Sequence, residues 1–526
     1  MTARKRSVLE AFSRDFFSLE RRDPVIRPGG GSEERRRVYL DTTATALMPR
    51  AVWRGLEAYL EAAPANSHTD AHRAGRDTTR AIEDSRDAVG RLVGYDPARD
   101  VVLFTANGAT GAINFLARAL FPPEIRPLVK RFRDGAPPAV VSAFKEALGG
   151  AGAEAMEAMF SRPLVVTTHM EHHSNLLPWV EAVGRHNVRD VGVDPDSGAL
   201  DLEALARILE EDGHRVRLVA ITGVSNVTGV VNPVRKIARM AHEVGAEILV
   251  DGAQWVPHAP VAIRTDRAAE DIDYLVLSGH KMYAPGSRGA LIGSLSTLEG
   301  RRCVTDIGGG MVDYVSMEDF ELKDEVTARE EAGTPNIPGS IAMGLVAELL
   351  MNVGMQAVAD KEEALTQALL RELEAVPGVE IYASTDMKQV PRAGVVAFNV
   401  AGLPHGLVAA YLNDCHNIAV RNGCFCAQPY VQALLRVDRA QLEACADERA
   451  QGRAAETPGM VRASLGVYST RDDVDAFVAA VRELAADPDA ARAAYQADPE
   501  GGFRRVDGAR LPTTFGIADA AASALR

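Results

Sequence analysis

Cysteine is scarce in this 526-residue sequence. The five present, Cys303, Cys415, Cys424, Cys426 and Cys445, are too few and too irregular for a disulfide framework, so a reducing cytoplasm is the expected compartment. Long apolar runs are missing too: none approaches the ~18 residues that cross a bilayer. The basic start, Met1-Thr-Ala-Arg-Lys-Arg6, meets Glu10, Arg14 and Asp15 before any signal-peptide core can form. Positive charge is outweighed, with 58 Lys and Arg against 72 Asp and Glu and a net charge of -14. That balance argues against nucleic acid or an anionic membrane as a partner. What remains is ordinary for a soluble globular chain, 47% hydrophobic and 25% charged, and long enough to bury a large core in more than one domain.

The rest of the chain is organised around Asp273-Tyr-Leu-Val-Leu-Ser-Gly-His-Lys281-Met-Tyr-Ala-Pro-Gly-Ser-Arg-Gly-Ala-Leu-Ile-Gly293. Tyr274 to Leu277 is an apolar run suited to a buried strand, and Ala290 to Ile292 is another. Between them lie Ser278, His280 and Lys281, then a Pro285-Gly286 turn. A polar turn between core strands can hold a side chain rigidly and partly desolvate a lysine. That lowers its pKa and frees the amine for Schiff-base chemistry, with Ser278 and His280 as donors to an anion beside it. Taken alone, the same residues fit a solvated loop lysine equally well.

Upstream, Ala246-Glu-Ile-Leu-Val-Asp251-Gly-Ala-Gln254 delivers a carboxylate at the end of an apolar run, thirty residues before Lys281. A pyridoxal 5'-phosphate (PLP) site needs this combination. The Asp keeps the pyridinium nitrogen protonated, so the ring is an electron sink, and the Lys carries the aldehyde. From here the sequence strongly resembles the class V aminotransferase family of fold type I PLP enzymes, and within it the cysteine desulfurases of the sulfur-mobilisation type. The resemblance runs from about Tyr39 to Leu484.

Several motifs take their meaning from that resemblance. Thr105-Ala-Asn-Gly108-Ala-Thr110-Gly111 joins the strand Val101–Phe104 to an apolar helix, and such a turn presents backbone N–H groups to a phosphate. The resemblance makes it the PLP phosphate cradle, through Ala109 and Thr110, although the family's usual pair of threonines is here Ala109-Thr110. After the strand Leu164–Thr168 comes His169-Met-Glu171-His172-His173-Ser-Asn175. By resemblance His172 stacks on the PLP ring and relays protons, with Glu171 and His173 behind it. No third ligand falls at a metal-binding spacing, so no metal is expected. Asn226 matches the residue near the ring oxygen and substrate, and Gln254 the one bonded to the phenolic oxygen. Thr334, in Glu331-Ala-Gly333-Thr334-Pro-Asn336, matches a threonine that reaches the phosphate of a partner subunit. It therefore implies a homodimer with shared active sites. Val38-Tyr-Leu-Asp41-Thr-Thr-Ala44 matches a substrate-side turn, and a strand end capped by Asp and Thr explains it as well. The loop with His68 and His72 approaches the site in the family; singly, either histidine would be solvated.

Arg421-Asn-Gly-Cys424-Phe-Cys426-Ala ends an apolar run in a loop. A thiolate near Arg421 would gain nucleophilicity, while a single cysteine is more commonly a small buried hydrophobe. The resemblance places Arg421 at the start of the family's Arg-x-Gly-x-x-Cys-Ala motif and Cys426 at the persulfide-forming position. A Cys-Phe-Cys sequence also resembles the molybdenum cofactor sulfurases, which share the fold. In an extended loop Cys424 and Cys426 would point the same way and both approach the substrate. Arg462 matches the residue that clamps a substrate α-carboxylate, with Arg421 beside it; a lone arginine on a strand is otherwise a surface charge.

Alternating strands and helices predict an α/β fold, with a mostly parallel large-domain sheet and a smaller α+β C-terminal domain. The expected divisions are 1–36, an arm made of a helix and a flexible link, and 37–298, the PLP domain, with an insertion at about 121–163. Then come 299–485, the small domain with an insertion at about 431–456, and 486–526, an extension. The resemblance implies an L-cysteine desulfurase. Lys281 would bind the cofactor and act as base, Asp251 would keep the ring electron-poor, and Cys426 would take the sulfur for a sulfur-acceptor protein. The alternative is a family member without persulfide chemistry: a C–S β-lyase, an aminotransferase or an epimerase.

Overall fold

The computed structural model describes residues 3–27, 31–121, 163–299, 306–438, 440–444, 458–498 and 502–524, with a few positions between 137 and 143. Cys303, Cys445 and most of the two expected insertions lie outside the described residues.

Helix α1 (Ala3–Arg14) is followed by an antiparallel hairpin, β1 (Arg22–Ile26) and β2 (Ser32–Arg36). The link expected to be flexible, 27–32, lies partly outside the described residues, and charge holds the strands on either side of it. Arg37 reaches Asp23 at 2.8 Å and Arg36 reaches Asp473 at 2.5 Å. Two-residue β3 (Val38–Tyr39) then opens the body of the protein, followed by helices α2 (Arg50–Ala62) and α3 (Arg73–Leu92). On α3 the buried residues include Ile82, Val89 and Leu92, at the helical spacing the sequence shows.

Seven strands form the main sheet: β4 (Asp100–Thr105), β5 (Leu164–Thr168), β6 (Val188–Val191), β7 (Val216–Thr222), β8 (Glu247–Asp251), β9 (Tyr274–Ser278) and β10 (Gly289–Ser294), in the order β4-β10-β9-β8-β7-β5-β6. Strands β6, β5, β7, β8 and β9 run parallel, while β10 is antiparallel to both β9 and β4. Every residue of β4, β5 and β9 is buried. That fits their continuous apolar runs, since a sheet covered on both faces shows no alternation. One consequence places the site: the carboxyl ends of β4, β5, β7, β8 and β9 lie along one edge, where α/β sheets gather ligands.

Helix α4 (Gly108–Leu120) leaves β4 directly, and α5 (Leu202–Asp212) and α6 (Val234–Glu243) fill later connections. Beyond β10 a second hairpin, β11 (Val312–Val315) with β12 (Phe320–Leu322), precedes α7 (Ile337–Val353) and α8 (Met355–Glu374). Ile341, Met343, Val346 and Leu350 of α7 join the hydrophobic cluster of the main sheet, although sequence reading grouped residues 340–376 with the smaller domain. Helix α8 divides: Ala357 and Val358 belong to that cluster, Leu365 and Leu369 to a second one.

The second cluster surrounds a four-stranded antiparallel sheet of β13 (Val379–Ile381), β14 (Val395–Val400), β16 (Arg421–Gly423) and β17 (Met460–Ser464), in the order β13-β14-β17-β16. Helices α9 (His405–His416) and α10 (Arg471–Ala486) cover it, and β15 (Ile418–Ala419) pairs with β3. Strand β17 ends at Ser464, after which the chain turns through Leu465–Tyr468. A last hairpin, β18 (Tyr495–Ala497) with β19 (Phe503–Arg505), packs on α9 through Tyr495 and Phe503.

Candidate active site

A cavity of about 240 Å³ opens where the strand ends meet β16 and β17, and Lys281, Asp251, His172, Arg462 and Cys426 all line it. Each arrives from a different element. Asp251 is the last residue of β8 and is buried, with Oδ1 accepting the Ala253 N–H at 2.9 Å. Burial raises its pKa, countered by Lys281 and by that N–H. Lys281 lies just past β9, and burial lowers its pKa against the pull of Asp251. The pair is mutually stabilising: each supplies the opposite charge that the other's desolvation demands.

The His169–Asn175 turn after β5 holds two further groups. His172 Nδ1 accepts the Ser174 N–H at 3.1 Å, and the ring faces the cavity. Burial, then Lys281, His173 and Arg462, drive its pKa down to about 4, so it stays neutral. Glu171 is fully buried and accepts from Thr168 Oγ1 (2.6 Å), Asn175 Nδ2 (2.6 Å) and the Thr222 N–H (3.0 Å). It thereby ties β5 to β7 beneath His172. Burial pushes its pKa up to about 8 despite these donors. The His173 N–H donates to the Cys426 carbonyl at 2.7 Å.

At the other wall, Ser278 Oγ accepts the Ala109 N–H at 2.9 Å, and a Cβ at Gly108 would sit 2.7 Å from that same oxygen. Only glycine allows the α4 turn to approach β9 this closely, and its φ of +63° demands glycine as well. Ala109 therefore spends its N–H on Ser278, while Thr110 Oγ1 contacts Ser174 Oγ at 2.7 Å. His280 lines the cavity too, held near pKa 4 by burial and Lys281.

Arg462, 3% exposed, donates to the Asn226 carbonyl (2.9 Å) and Asp41 (3.2 Å), with its guanidinium over the Phe425 ring at 4.7 Å. Burial lowers its pKa to about 10, which leaves it charged at neutral pH. Arg421 is exposed on the cavity rim, 3.7 Å from Asp41. Asn226 Nδ2 donates to the Phe425 carbonyl at 2.8 Å. The cysteine loop is not extended. Phe425 and Cys426 both have left-handed backbones, with φ of 54° and 55°, so the two thiols part company. Cys426 is exposed and lines the cavity, whereas Cys424 packs against the core and donates to the Pro458 carbonyl at 3.1 Å.

Other expected residues stand off. Gln254 is buried with Nε2 donating to the Thr43 carbonyl at 2.8 Å, and it lines a neighbouring cavity with His258 and Glu362. Thr334 is exposed and accepts from Asn66 Nδ2 at 3.3 Å, outside the cavity lining. His72 caps α3 by accepting the Gly75 N–H, and His68 is exposed. Thr43, Asn107, Ser174 and Phe425 line the cavity without having been singled out. Each sits inside a motif read from the sequence, which was the available signal.

The residues fit a PLP molecule. Thr43 Oγ1 and Arg462 Nε are buried at the cavity with no hydrogen-bond partner among the described residues, and both are groups a polar ligand would satisfy. A buried carboxylate faces a buried lysine, and hydroxyl and imidazole groups gather at the start of α4. Among the described residues no three His, Cys, Asp or Glu side chains group to hold a metal ion.

The model of aminotransferase class-V proteins matches residues 38–128 and 153–477. The chain belongs to that family. A probable cysteine desulfurase from Synechocystis sp. is 33% identical over 443 residues, 84% of this chain and 89% of that protein. A cysteine desulfurase from Serratia proteamaculans is 31% identical over 85% of this chain and 93% of its own. The apo structure of a cysteine desulfurase from Thermococcus onnurineus NA1 superposes with a TM-score of 0.68 at 28% identity, covering 86% of this chain and 95% of that one. The Escherichia coli cysteine desulfurase CsdA, in an S-sulfonic acid form, gives 0.65 at 25% identity over 90% and 98%. The fold class expected from sequence, a fold type I α/β architecture, is the observed one.

Proposed function

We propose that this chain is a PLP-dependent L-cysteine desulfurase that forms L-alanine and a persulfide on Cys426. The observation that carries the reading is the convergence of Lys281, Arg462 and the Cys426 thiol on one cavity. Relatives named cysteine desulfurases over most of the chain support it. PLP, when bound, supplies an electron sink for bonds at the substrate's α and β carbons. Lys281 would hold it, Asp251 would pair with its ring nitrogen, and Ser278, His280 and Thr110 would donate to its phosphate. Ala109, whose N–H is engaged by Ser278, would shape that cradle rather than donate. Asn226 and His172 would flank the ring and substrate, and Gln254 would act from behind Thr43.

Arg462, with Arg421 at the rim, holds the substrate carboxylate. Lys281, whose burial favours the amine over the ammonium, removes the α-proton. The Cys426 thiolate attacks the substrate sulfur, so an S–S bond forms as the Cβ–S bond breaks and its electron pair passes to the carbon side. A returned proton completes the methyl group. The sum balances: L-cysteine and a thiol give L-alanine and a persulfide. An exposed Cys426 can then pass its sulfur to an acceptor protein.

A second copy of the chain completes the site in this reading. Thr334 would reach the phosphate of the partner subunit, and the β11–β12 hairpin nearby exposes Tyr314, Val315, Met317 and Phe320, a surface suited to burial between copies. The test of function is product analysis with L-cysteine and a thiol reductant. Equal alanine and sulfide are expected. Pyruvate and ammonia, with no sulfur on Cys426, would establish the β-lyase alternative instead.

A further inference from the structure

Lys281 sits in a compact turn. The Lys281 and Met282 N–H groups donate to the Ser278 carbonyl (3.1 and 3.2 Å), and the Ala284 N–H returns to Gly279 at 3.0 Å. Inside this turn Tyr283 has a φ of 61°, a left-handed backbone that a bulky residue adopts only when its surroundings enforce it. The surroundings are aromatic. The Tyr283 ring is fully buried, edge-on to Phe12, Phe16 and Tyr468. Phe12 and Phe16 come from the N-terminal arm, upstream of the family-matched residues.

The polar end of Tyr283 is better specified still. Its hydroxyl accepts the Val467 N–H at 3.2 Å, so its own proton needs an acceptor. The carboxylate beside it is Glu362, 2% exposed, whose Oε2 takes the His258 Nδ1 hydrogen bond at 2.9 Å. Glu362 Oε1 is buried with no hydrogen-bond partner among the described residues, and Glu362 is the carboxylate whose charge the Tyr283 phenol feels. The preceding residue, Lys361, donates from Nζ to the Val467 carbonyl at 2.5 Å and to Ser13 Oγ at 3.0 Å. Lys361 of α8 thus holds the Val467 carbonyl, while Tyr283, beside Glu362 of the same helix, holds its N–H. Val467 lies five residues beyond Arg462 on the chain leaving β17, and Tyr283 two beyond Lys281.

We propose that Tyr283, Glu362 and Lys361 are positioning residues that form a joint fixing Lys281 relative to Arg462. The proposal rests on the desulfurase reading and deepens it. The two groups that must engage one substrate belong to different elements, Lys281 to the turn after β9 and Arg462 to β17 of the other sheet. The joint sets their separation by tying the lysine turn to the chain that leaves the strand carrying the carboxylate clamp. If it loosens, substrate binding has to restore the separation, and apparent affinity falls in proportion to the fraction correctly set. The loss therefore belongs mainly in KM.

The test uses the full chain loaded with PLP and compares Tyr283→Phe, Glu362→Gln and Lys361→Met with wild type. Tyr283→Phe keeps the ring in its aromatic cluster, and Lys361→Met reads the same joint from the other side should Glu362→Gln fold poorly. KM for L-cysteine is expected to rise about tenfold, with kcat within about twofold and thermal melting little changed. L-alanine affinity, measured by calorimetry without turnover, should fall by a similar factor. Tyr283→Phe and Glu362→Gln together should be no worse than the worse single change, because they break the same link. Unchanged KM and L-alanine affinity would overturn the proposal, and so would a lowered kcat and melting temperature at constant KM. A wild-type protein that binds L-alanine but releases none from L-cysteine would count against the desulfurase reading alone.

Discussion

Burial pulls the acids and bases around Lys281 in opposite directions. It holds His172 and His280 near pKa 4, helped by the lysine charge, and pushes Glu171 up to about 8. The two histidines bind protons less readily folded than unfolded, where their pKa is ~6.5. Stability is therefore intact above about 6.5 and drains as pH falls toward 4. Glu171 stays protonated to about 8 against an unfolded value of ~4.3, so it subtracts stability as pH rises across that window. Melting temperatures of the cofactor-free protein between pH 4 and 9 should show both slopes. His172→Asn should flatten the acid side and Glu171→Gln the upper one; profiles identical to wild type would refute the assignment. Lys281 itself gives a simpler prediction. The protein should purify yellow, with PLP bound covalently to Lys281, and Lys281→Ala should lose colour and turnover together. A colourless wild type that cannot be reconstituted with PLP would exclude the cofactor.

The loop from Arg421 to Ala427 marks where sequence reading ran out among the elements. Strands β4, β5, β7, β9 and β10 are local facts, legible because each carries three or four consecutive apolar residues, all buried. The left-handed turn at Phe425 and Cys426 is not local. Asn226 holds the Phe425 carbonyl, His173 holds the Cys426 carbonyl, and Arg462 lies over the Phe425 ring. All three partners are distant in sequence, so no spacing rule could turn the loop. The N-terminal hairpin escaped for a related reason: its strands are charged, and ion pairs rather than an apolar pattern hold them. Lys281, Asp251 and His172 were legible because each ends or follows a buried strand, and Arg462 because it is the one charge within such a strand. For the cysteines the turn decides the expected result. Cys426→Ala should abolish desulfurase turnover, while Cys424→Ala, which loses a thiol bonded to Pro458 away from the cavity, should keep the first sulfur transfer. Mass spectrometry after mixing with L-cysteine should place the added sulfur on Cys426. Sulfur found on Cys424 alone would mean that the loop reopens during reaction.

At the scale of the whole molecule, one chain brings Lys281, Asp251, Arg462 and Cys426 to one cavity, yet the Gly333-Thr334 loop lies outside its lining. Glu331 anchors that loop firmly: it accepts the Phe104 N–H at 2.8 Å and pairs with Arg86 at 2.6 Å and Arg288 at 3.1 Å. An anchored loop cannot swing far enough to serve its own cavity without breaking a half-buried ion-pair network, which is costly to disrupt. Thr334 is instead presented outward, and the β11–β12 hairpin leaves Met317 fully exposed and Val315 64% exposed. Apolar side chains grouped at a hairpin tip cost solubility unless a surface covers them. In the proposed function a second copy of this chain would meet that need and would give Thr334 a phosphate to reach. Light scattering should therefore find a dimer. Val315→Asp with Met317→Asp should yield monomers with unchanged secondary structure, weaker PLP retention and little turnover. Thr334→Ala should stay dimeric and lose PLP affinity by about tenfold, the worth of one hydrogen bond to a charged group. A wild-type monomer with full activity would show that each chain completes its own site.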